Sequence, residues 1–181
     1  MNNQTAREIE QKINQEGIFI LSTSSCSNMA EIVLDLVNFS NLNPTKEIYL
    51  YISSTVTDFV TMMTIYDVIK TLSNPISVIA LGRLSNYATL LVAACKKGKR
   101  FCLPHAAFNI SQPHGYLSIG TNLETDVTIA AKEAKLEREE YERLLALETG
   151  LDIQEVHRLA QEGTDLHPDE AIKLGILDKV L

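Results

Sequence analysis

The stretch LSNYATLLVAACKKGKRF, residues 84–101, has the layout in which a serine hydrolase holds its nucleophile: a polar turn opening onto a run of apolar helix formers, directly after the strand-like ISVIALG. Such an elbow works when a hydroxyl or thiol stands at the turn and a neighbouring imidazole takes its proton. The residue at this elbow is Asn86, whose carboxamide is no nucleophile. The other chemistry-bearing residues form no motif of their own. His105, His114, His157 and His167 are scattered and make no HxxxH or HxH pair, and Cys26, Cys95 and Cys102 lack CxxC spacing. Neither a zinc site nor any other metal site is expected, and an odd set of three cysteines suits a reducing cytoplasm.

The elements that must position this elbow follow from the rest of the chain. At 181 residues, with 45% hydrophobic and 22% charged residues, the sequence describes one ordinary globular domain able to bury a core. A net charge of -7 argues against a nucleic-acid surface, which needs clustered Lys and Arg. The one basic cluster, KKGKR at 96–100, reads as a solvated turn whose cations sit at a helix C-terminus, where the dipole favours them. The first residues, MNNQTAREIEQKINQEG, are polar and helical in pattern, and no apolar run reaches membrane length. The expectation is a cytoplasmic protein without membrane contact or cofactor.

Three β-rich runs recur at a spacing of about thirty residues: IFILS (18–22), EIYLYIS (47–53) and ISVIALG (76–82). Each is followed by a segment of helical periodicity: SNMAEIVLDLVNF capped by Ser27 or Asn28, DFVTMMTIYDVIKTL capped by Thr57 or Asp58, and a third from Ser85 or Asn86 to Gly98. Strands alternating with helices predict parallel βαβ units with right-handed crossovers. RFCLP and AFNISQ add two further strands. From ETDVTIAAKEAKLEREEYERLLALETG onward the chain changes character, predicting one long charged helix over 124–149 closed by Gly150. Its apolar stripe is Val127, Ala131, Ala134, Tyr141 and Leu145, interrupted by Arg138. On periodicity alone it is either a solvated helix across the sheet edge or an arm that meets another subunit. A short helix over 152–162 ending at Gly163, another opened by HPDEA and capped by Asp165, and a last strand ILDKVL complete the reading.

Four stretches together resemble the ClpP family, the proteolytic subunit of the Clp protease, within the crotonase-like superfamily. The family pattern IYLYINSPGG…T.GMAIYD aligns without gaps to IYLYISSTVTDFVTMMTIYD, residues 48–67. Its G.AASMGA.LLAAG.KGKRF.LP aligns to GRLSNYATLLVAACKKGKRFCLP, residues 82–104, the following I-H-Q-P becomes ISQP at 110–113, and EA..YGL.D..L becomes EAIKLGILDKVL at 170–181. The resemblance implies an α/β fold, a crotonase-like spiral of βαβ units with the long helix as a protruding handle. It divides a single domain, 1–181, into a head at about 18–112 and 150–181 and a handle at about 113–149.

The resemblance also locates the family's catalytic positions, and none keeps its residue. The nucleophilic Ser falls on Asn86, the His on Ser111 and the Asp on Gly163. The tandem glycines beside the oxyanion hole fall on Val56 and Thr57, with the preceding Pro on Thr55, so that Thr57 and Tyr87 mark the two oxyanion positions. A serine hydroxyl attacks a carbonyl only when an imidazole takes its proton and an acid orients the ring. Asn86, Ser111 and Gly163 offer none of the three, so a catalytically inactive homologue is expected. The family's docking positions for an AAA+ unfoldase match Tyr49, Tyr51, Ile79, Leu81, Phe101, Leu103 and Leu181, all apolar or aromatic. The resemblance further implies self-association in rings of seven or fourteen, with active Clp proteolytic subunits and an AAA+ Clp unfoldase as candidate partners.

Two other readings use the same residues. A displaced set, Ser85, His114 and Asp165, would make an active serine-type endopeptidase. One residue near a helix start turns a side chain by about 100°, however, so Ser85 is expected to point elsewhere. An acyl-CoA enzyme of the crotonase type is the third reading, and the KGKRF and IYLYI motifs weigh against it.

Overall fold

The computed structural model describes residues 3–22, 29–53, 58–113 and 124–181. In chain order the elements are α1 (Asn3–Gln15), β1 (Ile18–Ser22), α2 (Met29–Leu42), β2 (Ile48–Ser53), α3 (Phe59–Thr71), β3 (Ile76–Ala80), β4 (Arg83–Leu84), α4 (Asn86–Ala93), β5 (Arg100–Cys102), β6 (Ala107–Ile110), α5 (Glu124–Thr149), α6 (Ile153–Glu162), β7 (Thr164–Leu166), α7 (Pro168–Lys173) and β8 (Lys179–Val180). The caps proposed at Ser27 and Asn28 lie outside the described residues, as does Thr57. Asp58 caps α3, its carboxylate accepting from the Thr61 N–H at 2.7 Å.

The alternating strands and helices assemble as their pattern demands. A five-stranded sheet in the order β1-β2-β3-β5-β8 is parallel throughout. On its covered face Phe19, Leu21, Ile48, Leu50, Ile52, Val78 and Ala80 are buried and merge into one core with Leu36, Phe39, Met62 and Ile65 from α2 and α3. All five residues of β3 are buried, as expected of a central parallel strand. A second sheet, β4-β6-β7, leans on α4 and is closed by an antiparallel β6–β7 pair. Neither two-residue β4 nor β7 is anticipated by the sequence pattern, being too short to show a period of two.

One helix ends earlier than its sequence suggests. α4 stops at Ala93 instead of running on to Gly98. The bond that would have continued it, from Cys95 N–H to Leu91 O, is not made: Cys95 N–H donates to Val92 O at 3.2 Å, a tighter turn, and further on the groups of a Gly98–Ala94 bond are taken by side chains. Gly98 N–H donates to Asp178 Oδ2 at 2.7 Å, and Ala94 O accepts from Lys70 Nζ at 2.8 Å. The KKGK segment instead makes a turn closed by Lys99 N–H to Lys96 O at 3.0 Å.

The long helix forms over the expected range, but its stripe divides in two. Tyr141, Leu144 and Leu145 are buried in the core, whereas Val127 is 51% exposed, Ile129 52% and Leu136 56%. Ala131 is exposed and Ala134 half-buried. Arg138, which breaks the stripe, turns toward the buried Glu142, with Nε 4.0 Å from Oε1, and His157 Nδ1 holds the same carboxylate at 2.9 and 3.1 Å. The last two to three turns of α5, from Tyr141 on, therefore pack against the core, whereas Val127, Ile129 and Leu136 earlier in the helix stand in solvent. Among the described residues no helix is long and apolar enough to cross a membrane.

Candidate active site

The elbow sits where β4 hands over to α4. Ser85 occupies the N-cap position with an extended backbone and no side-chain cap bond, and Thr89 N–H closes the first turn onto Ser85 O at 2.8 Å. The first N–H groups of a helix have no partner within it. Here the Asn86 carboxamide supplies one: its Oδ1 accepts from the Tyr87 N–H at 2.9 Å, while its Nδ2 donates to Ser111 O at 3.2 Å. Asn86 is 7% exposed, so this amide fills the elbow from inside.

Ser111 follows β6 directly, and the antiparallel register Asn109↔Asp165, Ile110↔Thr164 leads toward Ser111 on one strand and Gly163 on the other. The fold thus brings the neighbourhoods of Asn86, Ser111 and Gly163 together. What they hold is a chain of hydrogen bonds rather than a proton relay. Ser111 Oγ donates to Asn109 Oδ1 at 2.6 Å, Asn109 Nδ2 donates to Asp165 Oδ1 at 2.8 Å, and Arg83 Nη2 reaches both Asp165 oxygens at 2.8 and 2.7 Å. Among the described residues, two amides, a hydroxyl, a carboxylate and a guanidinium make up this chain, and no imidazole takes part in it. Its only carboxylate is held below the ordinary Asp range, chiefly by the Asn109 amide and further by Arg83, against a smaller opposing effect of burial. A carboxylate so stabilised is a poor proton acceptor.

Asp165 was expected to cap the helix begun by Pro168, and it does not. It lies in β7, bound to Arg83 and Asn109, and the N-cap of α7 is His167, whose N–H donates to Glu170 Oε2 at 2.8 Å in a capping box. The same bonds bear on the displaced set, because Asp165 already serves two partners. Ser85 is at the N-cap, and His114 lies outside the described residues, as do Thr55, Val56 and Thr57. Tyr87 offers no substitute nucleophile. Its ring is 3% exposed, edge-on to Tyr141 at 5.7 Å and to Phe59 at 6.3 Å. Burial, with the carboxylates of Glu137 and Asp58 adding to it, pushes its phenol well above the ordinary tyrosine value.

Gly163 ends α6 in the left-handed region, at φ 66° and ψ 49°, and a Cβ there would meet nothing within 4 Å. Backbone geometry, not crowding, is what favours glycine at this position. Asn109 and Arg83 are the members of the cluster that the sequence reading missed. Asn109 was visible in principle, since it shares a strand face with Ser111 two residues on.

The outer face of the five-stranded sheet carries the remaining candidate residues. Ile20, Tyr51, Ile79 and Phe101 stand in register across four strands. Tyr49 is 41% exposed, Leu103 43% and Leu181 57%, while Tyr51, Leu81 and Phe101 are half-buried. Ile79, on the central strand, is only 5% exposed and forms the floor of this face.

An α/β spiral of parallel strands with a long outlying helix, and an elbow at the edge of the central strand, is the architecture of the ClpP-type peptidases. A family model described as Clp protease matches residues 1–181, and the chain belongs to the Clp protease family.

Proposed function

We propose that this chain is a non-catalytic proteolytic-subunit homologue, serving as a structural or regulatory member of a Clp-type ring in the cytoplasm. The observation that carries this reading is the Asn86 carboxamide, bonded to the Tyr87 N–H and to Ser111 O, where the family places its nucleophile. A peptide carbonyl brought to this elbow meets an amide instead of a hydroxyl, and the Tyr87 N–H that would receive its oxygen is already engaged. Oxyanion donors and binding alone can leave a triad-less enzyme with ~10³–10⁴-fold acceleration. With the Tyr87 donor occupied from within, part of that remainder is forfeited as well.

Head and handle have separate tasks in this reading. The exposed Val127, Ile129 and Leu136 on the free part of α5 suit burial against the handle of an opposing ring. Lys135, Arg138 and Arg143 already answer to Glu139, Glu142 and Glu140 within the helix, so apolar contact supplies most of the affinity. The outer sheet face, with Tyr49, Leu103 and Leu181 exposed, suits an AAA+ unfoldase loop or the face of an active subunit.

A fluorophosphonate probe tests the catalytic half: no serine is labelled and no peptide is cleaved, and stoichiometric labelling, at Ser85 above all, overturns the reading. Light scattering tests the assembly half. Rings of seven or fourteen are expected at micromolar concentration, and a monomer in low salt refutes it.

A further inference from the structure

Where the C-terminal ends of α3, α4 and α5 come together they line an open cleft of about 850 Å³, within the usual range for small-ligand sites. Its floor is apolar. Ile69 and Ile76 are each 7% exposed and Cys95 4%, and burial pushes the Cys95 thiol up to about 12, so the floor carries no charge. Above them Leu147, 64% exposed, leaves an apolar wall uncovered.

The rim is cationic. Lys70, Lys96, Lys97 and Lys99 all line the cavity of a chain whose net charge is -7. Two of them have internal duties. Lys70 Nζ donates to Ala94 O at 2.8 Å and to Glu148 at 2.7 Å, answering both the end of α4 and a carboxylate. Lys99 pairs with Glu47 at 2.8 Å. Lys96 and Lys97 are exposed, and neither forms a salt bridge among the described residues. The anion that the neighbouring backbone could hold is already present, since Asp178 accepts from Gly98 N–H and Arg100 N–H at 2.7 and 3.0 Å. Two cations without a salt-bridge partner among the described residues therefore line a cleft that also presents apolar surface.

We propose that this cavity binds an amphipathic anion, with a hydrocarbon body on Ile69, Ile76 and Leu147 and a single carboxylate or phosphate headgroup between Lys96 and Lys97. Hydrocarbon burial supplies the affinity, and the lysines fix which end points outward. The competing account is that these lysines only offset the partial negative charge of three helix ends.

Calorimetric titration of the full chain separates the two. The probes are decanoate, decanol, which keeps the body and drops the charge, and inorganic phosphate, which does the reverse. Decanoate should bind at least about ten-fold more tightly than either half-ligand. Replacing Lys96→Ala or Lys97→Ala should weaken it by roughly two- to five-fold each, as partly exposed charge pairs do. Decyl phosphate in place of decanoate distinguishes the two headgroups. No decanoate binding at about 1 mM, decanol binding as tightly as decanoate, or unchanged binding in the lysine variants with a lowered melting temperature each overturns the proposal.

Discussion

Two arginine–aspartate pairs close the two sheets of this protein, alike in chemistry and opposite in setting. Arg100 is 2% exposed, and its guanidinium meets Asp178 through Nε at 3.0 Å and Nη2 at 2.6 Å. Its remaining nitrogen donates to Gly175 O at 2.6 Å, so the pair ties the last strand of the chain to β5. Arg83 and Asp165 also form a two-oxygen contact, at 2.7 and 2.8 Å, but their side chains are 65% and 49% exposed. Contact distances do not separate them; solvent does. A buried pair that loses one member strands a charge, whereas water screens the exposed one. The fold leans on the sheet edge at Arg100. The corner at Asn86, Ser111 and Asp165 is held by a more exposed pair, which the architecture depends on less.

The sharpest way to break this contrast is Asp178→Asn. The amide keeps the shape and leaves the buried Arg100 charge uncompensated, a loss of about 3–5 kcal/mol. At roughly 2–4 °C per kcal/mol for a domain of this size, thermal unfolding should move by about 6–20 °C. The same carboxylate makes acid destabilising. Burial pushes Asp178 up, but the Arg100 guanidinium and the Arg100 and Gly98 amides outweigh it, leaving the group below its ordinary value. Its contribution is present above the unfolded pKa and is lost as pH falls through the folded one, that is, below about pH 4. Unfolding midpoints of the two proteins should therefore converge as pH is lowered through that range. A constant gap means that Asp178 is not the group titrating.

Of middle size is the effect of rebuilding the triad with Asn86→Ser, Ser111→His and Gly163→Asp. The left-handed backbone at Gly163 with open space around its Cβ sets the stability cost of the third change at about 1 kcal/mol, because Asp tolerates this region better than most residues. Chemistry should return weakly at most. Each missing oxyanion donor costs about 2.7–4 kcal/mol, and the segment of Thr55, Val56 and Thr57 is unchanged in the triple variant. Peptidase assays decide this: robust turnover would show that the corner had kept its donors and lacked only its triad.

Much of this contrast was legible in the sequence, and what was not has a common cause. The βαβ alternation, the extent of α5 and the meeting of positions 86, 111 and 163 follow from periodicity and family pattern, which register backbone layout. The length of α4 did not follow, because Cys95 N–H turns to Val92 O, and beyond it Asp178 and Lys70 hold Gly98 N–H and Ala94 O from far along the chain. Asp165 was misread for the same reason. Local grammar made it a cap for α7, whereas its partners lie 82 and 56 residues away at Arg83 and Asn109. Side chains bridging distant strands leave no periodic trace. The uneven burial of α5 was hidden too, since one stripe serves a core at one end and solvent at the other.

The smallest expected effect is at the exposed pair, and it calls for a double-mutant cycle. Arg83→Ala alone removes the guanidinium but leaves Asn109 Nδ2 on Asp165 Oδ1, so the carboxylate keeps a partner and water fills the rest. Asp165→Ala removes both bonds and frees Asn109 to donate to solvent. The coupling energy between the two substitutions isolates the ion pair itself and should lie at about 0.2–1 kcal/mol, as for other exposed pairs. Salt of about 0.5 M should shrink it further, since the Debye length then falls to a few ångströms. At Arg100 and Asp178 the same salt should change little, because burial shields that pair from the ionic atmosphere. A coupling above about 2 kcal/mol at Arg83–Asp165, insensitive to salt, would mean that the corner is excluded from water in solution. That would place it against another surface, and the burial seen in the single chain would no longer describe the site.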